Sequence, residues 1–324
     1  MSELYRPGEP VALKFTGSAG EYFKIWIVNL CLSVLTLGIY SAWAKVRRKR
    51  YFYGCTLLQG ASFEYLGNPV AILKGRVLVV LAFVAYALLK EVHFLIGIVL
   101  FFAVAAVLPW VIQRALQFNA RNSTHRNVRF GFRGTKMDVF AVLLIGALLV
   151  PLTLGLGYPF YIAMKKRIFI DNSSYGNQSF AFSATTGDYY LASMKLSLAF
   201  FGFVVGSLIT VGVGLLPLYL LLRAYAETRF ARLAWRNTHL GAIGFDCGWT
   251  TGGLFGLYLL NTLGIIASFG LLIPWAAIRT ARYKLERITL QSAGGLDGFL
   301  ASAQESVGAV GDEAGELLGF DFGL

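Results

Sequence analysis

The chain has 324 residues and a formal net charge of +12, and 56% of its residues are hydrophobic whereas 14% are charged. Soluble domains carry about 25% charged residues, so this composition, with a mean hydropathy of +0.63, excludes an ordinary soluble domain. It predicts a multi-pass membrane protein. Long uninterrupted apolar runs favour helices over the alternating strands of an outer-membrane barrel.

The first apolar stretch follows a start of mixed charge and shows no convincing signal-cleavage site, so we expect it to be retained. The apolar stretches lie at 21–43, 77–89, 92–112, 139–164, 196–222 and 254–278. Three scattered cysteines, Cys31, Cys55 and Cys247, have the spacing of neither a disulfide framework nor a metal site. They predict isolated thiols.

An internal repeat organises the chain. Matching residues recur 117 positions apart and then 115 apart, as in Arg50, Arg167 and Arg282. Such a period must be recognised before a fold is assigned. The predicted divisions are an N-terminal segment 1–14, membrane repeats 15–127 and 128–242, a half-repeat 243–290, and a flexible acidic Gly-rich tail 291–324.

Charge placement predicts the orientation in the membrane. The tail holds six acidic residues and no Lys or Arg, which leaves 29 basic against 11 acidic residues in 1–290. Short basic loops face the cytoplasm by the positive-inside rule. We therefore expect a cytoplasmic C-terminus, with two turns in the periplasm: 90–92, which carries only Lys90 and Glu91, and 211–214, which carries no charge.

The stretches 21–43, 139–164 and 254–278 share an internal helix breaker. Each contains a glycine, Gly38, Gly155 or Gly270, and the last two are followed by Pro159 and Pro274. Glycine commonly ends a helix, and proline is favoured in the first turn of the next. Each stretch is therefore either a short hairpin that returns to the cytoplasmic side, with a cytoplasmic N-terminus, or a single crossing that places the N-terminus outside.

Alternating aromatic residues followed by glycine precede the helical parts, as in Phe15-x-Gly17 and Phe130-x-Phe132-x-Gly134. This pattern predicts short strands or turns at the membrane surface. The predicted fold is an all-α polytopic membrane protein, built from internal repeats of helical hairpins with short strand-like cytoplasmic linkers.

The run from Leu35 to Arg48, LTLGIYSAWAKVRR, is continued by Arg50-Tyr51-Phe52-Tyr53 and preceded by Phe15-x-Gly17. It resembles the YjgN family of bacterial inner-membrane proteins, and the later copies extend the resemblance over roughly residues 10–290. Ala42 stands where the later copies have proline, and the tail lies outside the resemblance. The resemblance implies an inner-membrane location and an architecture, but no activity.

No catalytic, cofactor-binding or metal-binding pattern is present. The histidines, including His125 and His239, are expected to be solvated at the interface. Intramembrane polar residues are the usual markers of a transport site. Asn29 and Asn261 occupy equivalent positions, with Gly146 in the middle copy, and their pattern favours helix packing over substrate binding.

Basic and aromatic residues cluster after each Pro-aromatic step and predict an interfacial surface on anionic lipid. The candidates are Trp43, Lys45, Arg47, Arg48, Lys49, Arg50, Lys165, Lys166, Arg167, Trp275, Arg279 and Arg282. Nucleic-acid binding is disfavoured, because such clusters follow apolar segments and are explained by orientation. We expect a non-enzymatic membrane protein that contacts anionic lipid or envelope partners; a small-solute transporter or channel built from repeats is the alternative.

Overall fold

The structure is a computed structural model, which describes residues 10–89, 94–209 and 215–292. Most of the described chain is helical. The ten helices are α1 (Ala19–Leu35), α2 (Ser41–Gly54), α3 (Pro69–Leu89), α4 (Phe94–Arg121), α5 (Lys136–Leu152), α6 (Tyr158–Asp171), α7 (Thr186–Ile209), α8 (Leu215–Arg236), α9 (Thr251–Ala267) and α10 (Ile273–Leu285). The tail and both predicted periplasmic turns lie outside the described residues.

Short strands alternate with pairs of helices. They are β1 (Val11–Ala12), β2 (Lys14–Phe15), β3 (Thr56–Leu58), β4 (Ala61–Tyr65), β5 (Ser123–His125), β6 (Val128–Phe132), β7 (Ser173–Tyr175), β8 (Gln178–Phe182), β9 (Thr238–Leu240), β10 (Ile243–Cys247) and β11 (Ile288–Ser292). All belong to one antiparallel sheet. The prediction of an all-α protein is corrected here, because strands this short leave too little alternation in the sequence to indicate a common sheet.

The sheet closes on itself at the N-terminal strand. Val11 pairs with Leu290 in β11, whereas Lys14 pairs with Leu57 in β3. Only Leu13 separates β1 from β2, and its N–H donates to the Ile288 carbonyl at 3.2 Å. We call this closed arrangement the strand ring; closure removes the unpaired edges that an open sheet would expose.

The helices form a second closed layer. Each even-numbered helix packs against the odd-numbered helix before it and the one after it, and α10 packs against α1. The even-numbered helices also contact the strand ring, where α2 lies on β4, α4 on β6, α6 on β8 and α8 on β10. The described chain is therefore five strand–helix–helix–strand units around one axis.

The aromatic-glycine motifs connect the two layers. Residues two apart in a strand lie on the same face, so Phe130 and Phe132 share one face of β6; Phe130 packs against the core of the strand ring, and Phe132 is buried. A Cβ atom at Gly134 would lie 2.5 Å from the Phe132 ring. Glycine is therefore needed for this ring to fold back over the chain.

Helix ends follow the local sequence. Thr135 forms a capping box with Asp138 at the start of α5, which satisfies amides that a helix start leaves free. At the end of α4, the side chains of Asn122 and Ser123 donate to the carbonyls of Phe118 and Asn119 at 2.8 Å. At the end of α8, the side chains of Asn237 and Thr238 donate in the same way to the carbonyls of Leu233 and Ala234.

Candidate membrane interface and central cavity

Within the part of the chain that the structure describes, three helices are long and apolar enough to cross a membrane: Pro69–Leu88 in α3, Leu95–Arg121 in α4 and Thr186–Gly206 in α7. Large apolar side chains are exposed along them, among them Phe83, Phe102 and Phe201. Exposed apolar surface of this extent marks a membrane or protein contact. α8 is not among the three candidate spans; Arg223, Glu227 and Arg229 lie within it.

The three predicted breakers lie in the turns between the short helix pairs. Gly38, Gly155 and Gly270 have φ of +91°, +90° and +91°, in the left-handed region that favours glycine. The preceding residues, Leu37, Leu154 and Phe269, also have positive φ, near 50°. These six residues form three copies of one turn, which we call the apolar tips.

The N–H groups of each apolar tip donate hydrogen bonds within the tip. In the middle copy, residues 153–156 and 158 donate to carbonyls of the turn and the preceding helix, and the Gly157 amide donates to the Thr153 hydroxyl at 2.7 Å. The other two copies repeat these bonds, with Thr36 or Ser268 as the acceptor. An irregular backbone with satisfied N–H groups suits an environment without water.

The side chains at the tips are apolar and almost fully exposed. Leu37, Leu154 and Phe269 are 95%, 93% and 99% exposed. After the second and third tips, Pro159 and Pro274 lie in the first turn of α6 and α10, and both are buried. A water-exposed turn does not require such residues, whereas a bilayer accommodates them.

The basic candidates divide by the contacts they make. Arg50, Arg167 and Arg282 hold the strand ring to the even-numbered helices: Arg50 donates to the carbonyls of Tyr65 and Gly67 at 3.3 and 3.4 Å, Arg167 to Ala184 at 3.1 Å, and Arg282 to Gly17 at 2.9 Å. Their recurrence in the repeat therefore has a structural reason that does not involve lipid.

The Lys49 side chain also makes its contacts within the protein. Its ammonium donates to Asn119 Oδ1 at 2.6 Å and lies 4.5 Å from the centre of the Tyr65 ring. Trp43 packs on a core that includes Tyr65, and Lys45 is partly buried on the same helix.

A second set projects from the surface of the short pairs. Arg47 and Arg48 are exposed on α2, and the Arg48 guanidinium lies 5.8 Å from the centre of the Phe52 ring. Lys165 is exposed on α6, and Arg279 lies over the Trp275 ring at 4.8 Å. All four lie on helices that run from an apolar tip to the strand ring. We call them the surface cations.

Asn29 and Asn261 are buried between helices. Asn261 Nδ2 donates to Thr280 Oγ1 at 3.0 Å on the partner helix. In the middle copy a Cβ atom at Gly146 would lie 2.7 Å from the Tyr161 ring. Tyr161 stands where the third copy has Ala276, so a small residue on one helix faces a large one on the other.

Two cavities lie at the centre, where the even-numbered helices meet the strand ring. Their volumes are about 690 and 470 Å³, and both are lined by Phe130 and Ser173. A third cavity of about 200 Å³, inside the strand ring, has a lining dominated by apolar side chains, including Phe180 and Leu290. Neither Asn29 nor Asn261 lines any of these three cavities.

The larger central cavity brings together Lys166 and Glu227, which are far apart in sequence. Glu227 accepts hydrogen bonds from Lys284 and from the Tyr258 hydroxyl. Arg223, one helical turn before Glu227, lies over the Tyr258 ring at 5.0 Å.

His125 corrects the expectation of solvated histidines. It is 2% exposed, stacks on Phe63 with ring centres 4.4 Å apart, and has Nδ1 3.3 Å from the Ser62 carbonyl. Burial lowers the pKa of its imidazole. Within the described residues no group of three or more potential metal ligands occurs.

Comparison with known proteins gives a family. The model of the family described as "Bacterial protein of unknown function (DUF898)" matches residues 10–216 and again 205–317. The chain belongs to this family. The resemblance to YjgN proteins is confirmed by curated relatives of that name.

The relatives are called inner membrane protein YjgN. The Salmonella typhimurium protein is 35% identical over 122 residues, which are 37% of this chain and 31% of the relative. Two Escherichia coli proteins are 32% and 31% identical over 157 residues, or 47% of this chain and 38% of theirs. The matches thus span less than two-fifths of these relatives. No solved structure matches the chain.

Sequence reasoning missed the central cavities because their walls come from every even-numbered helix. Glu227 was the one available signal, as an acidic residue one helical turn after an otherwise apolar stretch. Its partner Lys284 lies 57 residues away, and no periodic pattern pairs them.

Proposed function

We propose that this protein is a multi-pass protein of the bacterial inner membrane, without enzymatic activity, whose basic cytoplasmic face contacts anionic lipid. The observation that carries the proposal is the apolar tip, which occurs three times with the same hydrogen bonds and nearly fully exposed apolar side chains. A polar surface cation lies on the second helix of each short pair, between the tip and the strand ring.

Helix lengths support two depths of insertion. At 1.5 Å per residue, α1 and α5, with 17 residues each, are about 25 Å long, whereas α4, with 28 residues, is about 42 Å long. A bilayer core is about 30 Å thick. The short pairs therefore enter and return, the long pair α3–α4 crosses and returns, and α7 crosses while α8, although it is not among the candidate spans, returns the chain, so that both termini lie in the cytoplasm.

Cysteine accessibility in intact cells tests this topology. After replacement of the native cysteines, Leu154→Cys at a tip is expected to react poorly with membrane-impermeant maleimide from either side, because hydrocarbon surrounds it. Ser2→Cys should react only after the cytoplasmic side is opened, and Arg47→Cys serves as the matched cytoplasmic position. Labelling of Ser2→Cys from the periplasm contradicts the re-entrant arrangement.

The surface cations give the lipid contact. Each basic residue near an anionic surface contributes about 1 kcal/mol, and salt weakens the attraction. Arg50, Arg167 and Arg282 are left out of this set because each donates to a main-chain carbonyl.

Co-purified lipid measures the contact. A variant with Arg47, Arg48, Lys165 and Arg279 changed to Gln is expected to retain less anionic phospholipid than the wild type. A control with the same positions exchanged between Arg and Lys keeps the charges and should retain it. Equal anionic lipid in all three correctly inserted proteins would overturn the lipid proposal.

Transport of a small solute is the second candidate. The central cavities favour it, because they lie on the axis around which the units are arranged, and transporters built from repeats place their sites between repeats. Proteoliposome uptake would separate it from a lipid-contact role.

A further inference from the structure

The larger central cavity contains an ammonium group without a protein partner. Among the described residues, Lys166 makes no hydrogen bond or ion pair, although it lines the cavity. The other polar groups named here are engaged: Ser173 donates to the Phe169 carbonyl and Thr238 to the Ala234 carbonyl. Glu227 is bonded to Lys284 and Tyr258.

The internal repeat explains how this ammonium lost its partner. Lys166 stands 117 residues after Lys49, and Ala234 stands 115 residues after Asn119. In the first unit Lys49 donates to Asn119 Oδ1 at 2.6 Å. In the second unit the asparagine is replaced by Ala234, which itself lines the cavity. The shorter side chain removes the acceptor and leaves space in front of the lysine.

We propose that this cavity binds an amphiphilic organic anion, whose carboxylate pairs with Lys166 and whose apolar body lies against the aromatic wall. That wall includes Phe180, Phe230, Trp235 and Trp249. The Lys166 side chain is exposed and lines the cavity, so an anion can reach its ammonium without displacing a protein partner. The volume of about 690 Å³ lies within the roughly 300–1,000 Å³ of ligand sites.

The charge balance selects an anion over a cation. Lys284 neutralises Glu227, so the Lys166 ammonium is the charge left unpaired among the cavity-lining residues that the structure describes. The site does not depend on the proposed lipid contact, because Lys166 faces the cavity and the surface cations do not line it.

Quenching of tryptophan fluorescence tests the site, because Trp235 and Trp249 line it. The purified full chain, in nanodiscs of neutral lipid, is titrated with a dibrominated long-chain fatty acid and separately with a bromobenzoate. Saturable quenching by the fatty acid identifies an anion from the bilayer, and by the benzoate one from the cytoplasm. The methyl esters of both probes test the need for the carboxylate.

Three variants decide the outcome. Lys166→Gln is expected to weaken binding at least tenfold. Ala234→Asn, which restores the asparagine of the first unit, should weaken it similarly while keeping the lysine. Lys165→Gln, the adjacent cation, should bind as the wild type does. Unchanged binding by Lys166→Gln, equal quenching by the esters, or no saturable quenching by either acid overturns the proposal; circular dichroism confirms that each variant is folded.

Discussion

Gly155 and its two counterparts carry a conformation that other residues adopt at a cost. A residue with a Cβ atom in the left-handed region loses roughly 1–2 kcal/mol, and the φ of +90° at Gly155 places it there. Leu154 adopts a similar conformation beside it. The tip therefore accepts strain at one leucine but relies on glycine for the next residue.

Replacement of Gly155 by alanine is expected to destabilise the protein by about 1 kcal/mol. No atom lies within 4 Å of the added methyl group, so the loss reports backbone strain alone. Gly202→Ala is the control, because Gly202 lies inside α7 without positive φ and with equally open space. Detergent-based unfolding measures both; equal stability of the two variants would refute the role of φ.

At the scale of elements, two of the short helix pairs share an equivalent packing site. The larger side chain lies on the first helix in one pair and on the second helix in the other. Asn261 faces Ala276, and Gly146 faces Tyr161. Close-packed interiors tolerate changes in shape when the total volume is kept. We therefore interpret Asn261 as a packing residue and expect the same of Asn29, although the Oδ1 atom of each lacks a hydrogen-bond partner among the described residues.

Exchange of the pair in α5 and α6 tests this explanation. Gly146→Asn alone should cost about 1–3 kcal/mol, because its Cβ atom overlaps the Tyr161 ring. Tyr161→Ala alone leaves a void. The double variant recreates the asparagine-alanine pair, and we expect it to be more stable than the sum of the single effects by at least about 0.5 kcal/mol. Simple additivity in unfolding measurements would show that the two sites do not interact.

At the scale of the whole molecule, the segment 11–15, which contains β1 and β2, joins the first unit to the last. It pairs with β11 through Val11 and with β3 through Lys14, and α10 packs on α1 in the layer above. Both layers therefore close between the same two units. Closure fixes the inner helices around the axis and so creates the central cavities.

Disulfide trapping tests closure. In a chain without native cysteines, Val11→Cys with Leu290→Cys, and Lys14→Cys with Leu57→Cys, are expected to cross-link on mild oxidation, because directly opposed residues have Cβ atoms about 4.5–5.5 Å apart. Lys14→Cys with Leu290→Cys is the mismatched control and should not cross-link. A bond between positions 14 and 57 without one between 11 and 290 would show an open sheet.

The sequence alone determined the membrane class, the family, the period of the repeat and the helix breaks near Gly38, Gly155 and Gly270, because composition, motif spacing and glycine chemistry are local properties of the chain. Only the tertiary structure decided the closed strand ring, the division of the basic residues between main-chain carbonyls and the surface, and the unpartnered Lys166. These depend on contacts such as Arg282 with Gly17, 265 residues apart. Residues at that separation meet only when the whole ring has closed.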